Sequence, residues 1–288
     1  MEKMLVRPPA VAGTFYPADA EELIRLIEWS FTHPLGPGEV PEVSPVRRKA
    51  SVGYMVPHAG YIYSGPVAAW SYYHLAQEGA PETVVIIGPN HTGLGPAVSV
   101  MPPSIWETPL GGVKTDDEAI SELLKVSNVV EEDYSAHAYE HSLEVQLPFL
   151  QYLFGDSFRI VPIVMKVQTP SVARLLMQSI KEAMENLGRD YVVLSSSDLN
   201  HYEPHDITVE KDMLALEKIV NLDPEGLQEV LVKYDISMCG PGPVMVNMYL
   251  DKEYGAERAI LLKHATSGDT SGDKSAVVGY AAVKFPLP

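Results

Sequence analysis

The chain has 288 residues and a single cysteine, Cys239. A lone cysteine excludes an intramolecular disulfide and suits a reducing, cytoplasmic compartment. Basic residues are scarce: Lys and Arg total 21 against 38 Asp and Glu, for a formal net charge of −17. Nucleic-acid partners need clustered cations, and so do anionic membrane surfaces, so neither is expected. No apolar run approaches the ~20 residues of a membrane span. The N-terminal "MEKMLVRPPAVAGTFYPAD" has no long apolar core, and no signal peptide is expected. The glycine stretches "PHAGYIYSG" and "GPNHTGLG" match neither the dinucleotide nor the P-loop spacing, and no GxSxG elbow is present.

What is present is a regular alternation of elements. "AEELIRLIEWSF" from Ala20 reads as a helix with Asp19 as N-cap and Glu22 as its capping-box partner. A proline- and glycine-rich loop follows. "SVGYMVP" (51–57), "TVVIIGP" (83–89), "RIVPIVM" (159–165) and "YVVLSSS" (191–197) read as strands, the second a buried β-branched run. Helical patterns lie at 66–77, 171–188 and 142–154, the last with a kink expected at Pro148. Another begins after Thr115 as cap. Further helices are expected at 207–221, 224–234 and 243–254, and two strand-like runs close the chain. The segment "GDTSGDKS" (268–275) lacks the carboxylate spacing of a calcium loop and reads as a mobile loop. Strands alternating with helices imply one α/β domain over residues 1–288, with a mainly parallel sheet covered on both faces.

In open α/β sheets ligands bind beyond the carboxyl ends of the strands. Three predicted strands each deliver a histidine there: His58 in "PHAGY", Asn90-His91 in "GPNH", and Asp198 with His201 in "SSSDLNHY". Any one of them is ordinarily a loop residue. Three together point to a shared site. Neutral imidazoles bind Zn, Fe and Cu, and two of them with one anionic ligand leave positions open for substrate. Asp198 and Cys239 are both candidates for that anion. Cys239 precedes "GPGP" and a helical run, and a helix N-terminus favours thiolate over thiol. Set against this is the common fate of a free cysteine, an inert buried thiol.

A second polar cluster, "SAHAYEHSLEVQLP" (135–148), carries His137, His141 and Glu144 at helical spacing. The trio could bind metal or orient the metal's ligands, with His141 ranked above His137. Ordinary capping of a helix start explains Glu140 and Glu144 equally well. His33, His74 and His264 are read as structural or surface residues.

"AVAGTFYPAD", "VPHAGYIYSGPVAA", "IIGPNHTG", "EHSLEVQLPFLQ", "SSSDLNHY" and "MCGPGPV", in that order, resemble the Memo family over nearly the whole chain. The resemblance implies a fold similar to class III extradiol ring-cleavage dioxygenases, non-haem iron(II) enzymes whose metal is held by two histidines and a glutamate. Carried over by motif, it implies a metal site of His58, His91 and Cys239, with the cysteine in place of the carboxylate. Asp198 and His201 fall where the acid/base histidine is expected, so His201, oriented by Asp198, is the candidate acid/base. His141, Glu144, Tyr61 and Asn90 are expected around the pocket.

Iron(II) is the first expectation for the ion, with copper or zinc as alternatives, because thiolate softens the site. The expected function is a metal-dependent oxidoreductase acting on a small molecule or peptide, in a chain that could form a homo-oligomer. A scaffold that binds peptides in a vestigial pocket is the alternative. A cysteine hydrolase built from Cys239, His201 and Asp198 ranks last, because it leaves His58 and His91 without a role.

Overall fold

The computed structural model of the chain describes residues 3–288. Its strands are β1 (Leu5–Arg7), β2 (Ser51–Val56), β3 (Thr83–Pro89), β4 (Val98–Val100), β5 (Ser104–Thr108), β6 (Gly111–Lys114), β7 (Glu131–Glu132), β8 (Arg159–Met165), β9 (Tyr191–Ser196), β10 (His201–Glu203), β11 (Ile260–Thr266) and β12 (Val277–Pro286). Its helices are α1 (Ala20–Thr32), α2 (Tyr61–Glu78), α3 (Asp117–Val126), α4 (His141–Glu144), α5 (Leu147–Phe154), α6 (Pro170–Leu187), α7 (His205–Val220), α8 (Pro224–Lys233), α9 (Pro241–Glu253) and α10 (Ser267–Ser271). Among the described residues no helix is long and apolar enough to cross a membrane.

The main sheet runs β10-β12-β2-β9-β3-β8-β4-β7, with β11 paired to β12, and β1-β5-β6 form a small second sheet. The four central strands β2, β9, β3 and β8 are mutually parallel. Beyond them β12 and β4 pair antiparallel. The α/β class holds, and the sheet is mixed rather than mainly parallel. The central strands are buried on both faces and alternate between two cores. Val85 and Ile87 face α3, α6, α7, α8 and α9, whereas Val84 and Ile86 face α1, α2 and α5. This double burial explains why the β3 sequence has no polar break.

Local signals account for most element boundaries. Asp19 caps α1 by accepting from the Glu22 amide, and Gly188 closes α6 in the left-handed region at φ 60°. The cap of α3 is Asp116, one residue after the expected Thr115, whose hydroxyl is engaged with Ser104 and Asp117. The 142–154 helix is two pieces, α4 and α5, with Pro148 in the first turn of α5, where its missing N–H costs nothing. The 268–275 segment is not a plain loop. It begins in α10, whose start is fixed by a reciprocal capping box between Thr266 and Asp269.

Candidate metal centre

The strand order fixes the site. β2, β9 and β3 lie side by side and parallel, so their carboxyl ends open on one edge. His58 follows β2, Asp198 follows β9 and His91 follows β3, so the three residues meet in space although far apart in sequence. The turn into α4 adds His141. Ring centroids of His58, His91 and His141 are 4.6 to 5.4 Å apart. One nitrogen from each lies within 4.8 Å of the other two, close enough to hold a metal ion. They form the floor of a cavity of about 830 Å³, walled by His201 and by the aromatic residues Phe15, Tyr63, Tyr202 and Tyr280.

Hydrogen bonds decide which nitrogen each ring offers. The Ser196 hydroxyl donates to the Ser142 carbonyl at 2.8 Å, so it must accept from His58 Nδ1–H, also at 2.8 Å. His58 Nε2 is therefore bare. Burial, then the positive charge of His91, holds the His58 imidazole down to about 3, so it is neutral at pH 7. Glu140 accepts from the His91 backbone N–H at 2.6 Å and pairs with His91 Nδ1 at 2.8 Å. A carboxylate behind an imidazole is a recurrent support for a metal ligand. Burial works against both charges of this pair. The bond to His91 still brings Glu140 to about 2, and Glu140 raises His91. Burial, then His58 and His91, lowers His141 to about 4, and the Phe15 ring packs 4.6 Å from it.

Cys239 stands just before α9, whose N-cap is Gly240. Its Sγ lies 3.2 Å from His58 Nε2 and accepts from the Asp198 backbone N–H at 3.2 Å. It borders the cavity but is outside the group formed by the three imidazoles. Without an ion the helix N-terminus does not favour thiolate as expected. Burial, and then the Asp198 charge, pushes the thiol well above its ordinary range. Asp198 does not orient His201. Its Oδ1 accepts from the His58 backbone N–H at 2.9 Å, and His201 is held instead by Ser237 at 2.8 Å.

The other expected pocket residues do structural work. Glu144 turns away and binds Arg7, Tyr16 and the Ala10 and Val11 amides. Tyr61 is buried against the Val145 carbonyl. Asn90 folds its own loop through Leu94 and Gly93. His137 sits in a turn, fully buried beside Ser99 and Trp106, and not on the α4 face. Sequence reasoning did not single out Ser196, Phe15 or Ser237, and it read Glu140 only as a helix-start cap, which it is, without its bond to His91. No local signal marks Ser196, Phe15 or Ser237 as neighbours of the site.

The donor set suits a transition ion. It comprises imidazoles with bare or displaceable nitrogens, a thiol beside them, and hydrogen bonds that fix ring orientation. The α/β fold thus brings an imidazole cluster that could hold a metal ion to the carboxyl edge of its parallel strands. The family model for Memo-like proteins matches residues 7–284. A MEMO1 family protein of Saccharolobus islandicus is 56% identical over 281 residues, covering 97% of this chain and 99% of its own. Another from Sulfolobus acidocaldarius is 54% identical over 283 residues, covering 98% and 99%. The chain belongs to the Memo family.

Proposed function

We propose that the protein binds one transition-metal ion at His58, His91 and His141, with Cys239 as the sulfur ligand beside His58, and works as a metal-dependent oxidoreductase. Its substrate is a small molecule held in the cavity. The observation that carries this reading is the tautomer of His58, because Ser196 leaves its bare Nε2 among the other donors and 3.2 Å from Cys239 Sγ. Ligand atoms of one tetrahedral ion with bonds of about 2.0–2.3 Å lie roughly 3.5 Å apart, close to that spacing. Iron(II) or copper fits the redox role, and a thiolate ligand favours the softer ion. When bound, the ion supplies a redox centre and a Lewis acid. The chain itself does the rest. Glu140 and Ser196 orient the ligand rings, Asp198 fixes the His58 backbone, and the aromatic residues line the substrate cavity. His201 exchanges a proton with the substrate. An unpaired thiol as ligand suits the reducing cytoplasm.

The expected likeness to class III extradiol dioxygenases belongs to this proposal, and ring cleavage is not assumed, since a fold does not fix a chemistry. One observation favours peptide binding as a second reading: Tyr202, on the cavity wall, is 77% exposed and could meet a partner's side chain. Anaerobic titration with Fe(II) or Cu(I), followed by elemental analysis, tests the first reading. One ion per chain is expected, abolished by His58→Ala or His91→Ala and weakened about tenfold or more by Cys239→Ser. No stoichiometric binding of either ion overturns it. Peptide affinity that survives chelation favours the second.

A further inference from the structure

His201 enters the cavity from a distorted stretch of chain. β10 pairs with β12 at His201 and Glu203, but the register shifts between them. Tyr202 in the middle has φ 62°, in the left-handed region that a bulky side chain rarely adopts. Such a conformation persists only where surrounding bonds over-determine it.

Those bonds run through two residues. The His201 backbone N–H donates to Ser237 Oγ at 2.8 Å, and His201 Nδ1 lies 2.8 Å from the Ser237 carbonyl oxygen. A carbonyl only accepts, so Nδ1 carries a proton, and in the neutral ring Nε2 is bare. Ser237 is in turn gripped by Asn200, whose Oδ1 accepts from the Ser237 N–H at 3.1 Å and from its hydroxyl at 3.2 Å. Asn200 is fully buried and has no freedom to turn. Its Nδ2 donates to Glu203 and Thr208, and its backbone N–H donates to Asp212 Oδ1 at 3.0 Å. Asp212, also fully buried, is held by His264 Nε2 at 2.7 Å. The network crosses a peptide N–H between Asp212 and Asn200, which cannot pass a proton along. It therefore positions and does not conduct.

We infer that Asn200 and Ser237 are positioning residues that fix His201 as the Nδ1–H tautomer and present its bare Nε2 to the cavity as a proton acceptor. The chemistry that follows is selective. The substrate group facing the neutral His201 ring is a donor, a hydroxyl, amine or thiol, because that ring offers it no N–H. The inference rests on the cavity being the working site, but it is tested without metal, so the two can fail separately.

The test is ¹⁵N NMR of the imidazole nitrogens in the metal-free full-length chain, with His201 assigned through His201→Gln. The neutral His201 ring of the wild type is expected to show one tautomer, Nδ1–H. Ser237→Ala keeps the carbonyl but removes the hydroxyl that ties His201 to Asn200. Asn200→Leu removes the tie altogether. Each should lower the Nδ1–H to Nε2–H ratio by a few-fold to about tenfold, the effect of one net hydrogen bond. Neither substitution alters His58, His91, His141 or Cys239, and the readout needs no metal. Free tautomer exchange in the wild type overturns the inference, as does an unchanged tautomer in Ser237→Ala. If Asn200→Leu fails to fold, Ser237→Ala decides alone.

Discussion

At the scale of single residues, the environment and not the residue type sets the chemistry. Glu140 and Asp251 are both buried acids with opposite fates. Glu140 finds an imidazole and backbone N–H groups and is held to about 2. Asp251, fully buried on α9, has neither carboxylate oxygen partnered, and burial lifts it to about 7. The sign of its effect follows from linkage. Between about pH 4, where the unfolded carboxyl ionises, and pH 7, the folded state keeps a proton that the unfolded state releases. Stability therefore falls as pH rises through that window and is flat above it. Asp251→Asn should remove this slope and raise the melting temperature at pH 8 by a few degrees. Thermal melts of both proteins between pH 4 and pH 8 check it, and parallel curves would refute it.

At the scale of elements, α4 shows how little regular structure a site needs. It has four residues, yet its cap, Glu140, also accepts from His91 on another loop. One carboxylate thus ties the histidine after β3 to the histidine that opens α4. Glu140→Gln keeps an acceptor for the cap but loses the charge that supports His91. Metal affinity should fall about 10- to 100-fold with little loss of helix content, as titration and circular dichroism would show. Unchanged affinity would mean that the carboxylate only caps. This coupling marks the limit of what the sequence reveals. His58, His91 and Asp198 could be placed because long apolar strands announce themselves and their ends are predictable. For His141 the choice between metal ligand and neighbour stays open, because α4 is too short for a period. The short strands β1, β4, β5, β6, β7 and β10 are invisible for the same reason, and β11 and β12, legible as strands, do not reveal their antiparallel pairing.

At the scale of the whole molecule, the site depends on a contact across 137 residues of sequence. Arg7 and Glu144 form an ion pair at 2.7 Å with both side chains fully buried. No local pattern could reveal it, and Glu144 looked like a pocket residue because its spacing from His141 is helical. Glu144 also accepts from the Ala10 and Val11 amides and the Tyr16 hydroxyl, so one carboxylate secures the whole N-terminal hook. The hook places Phe15 against His141 and gives its carbonyl to the Tyr61 amide at the start of α2. Arg7 in turn lies over the Trp106 ring, joining the hook to the small sheet. Glu144→Gln leaves the Arg7 guanidinium buried without a counter-charge, a loss of about 3–5 kcal/mol for such pairs. Denaturant unfolding should show a midpoint shift of that order without a changed slope if the fold stays cooperative. Hydrogen exchange should rise first at residues 10–16, and the His141 ring resonances should move as Phe15 loosens. The hook would prove dispensable if unfolding stayed at wild-type denaturant concentration with His141 undisturbed. The substitution would then have removed a pair whose desolvation cost already cancelled its attraction.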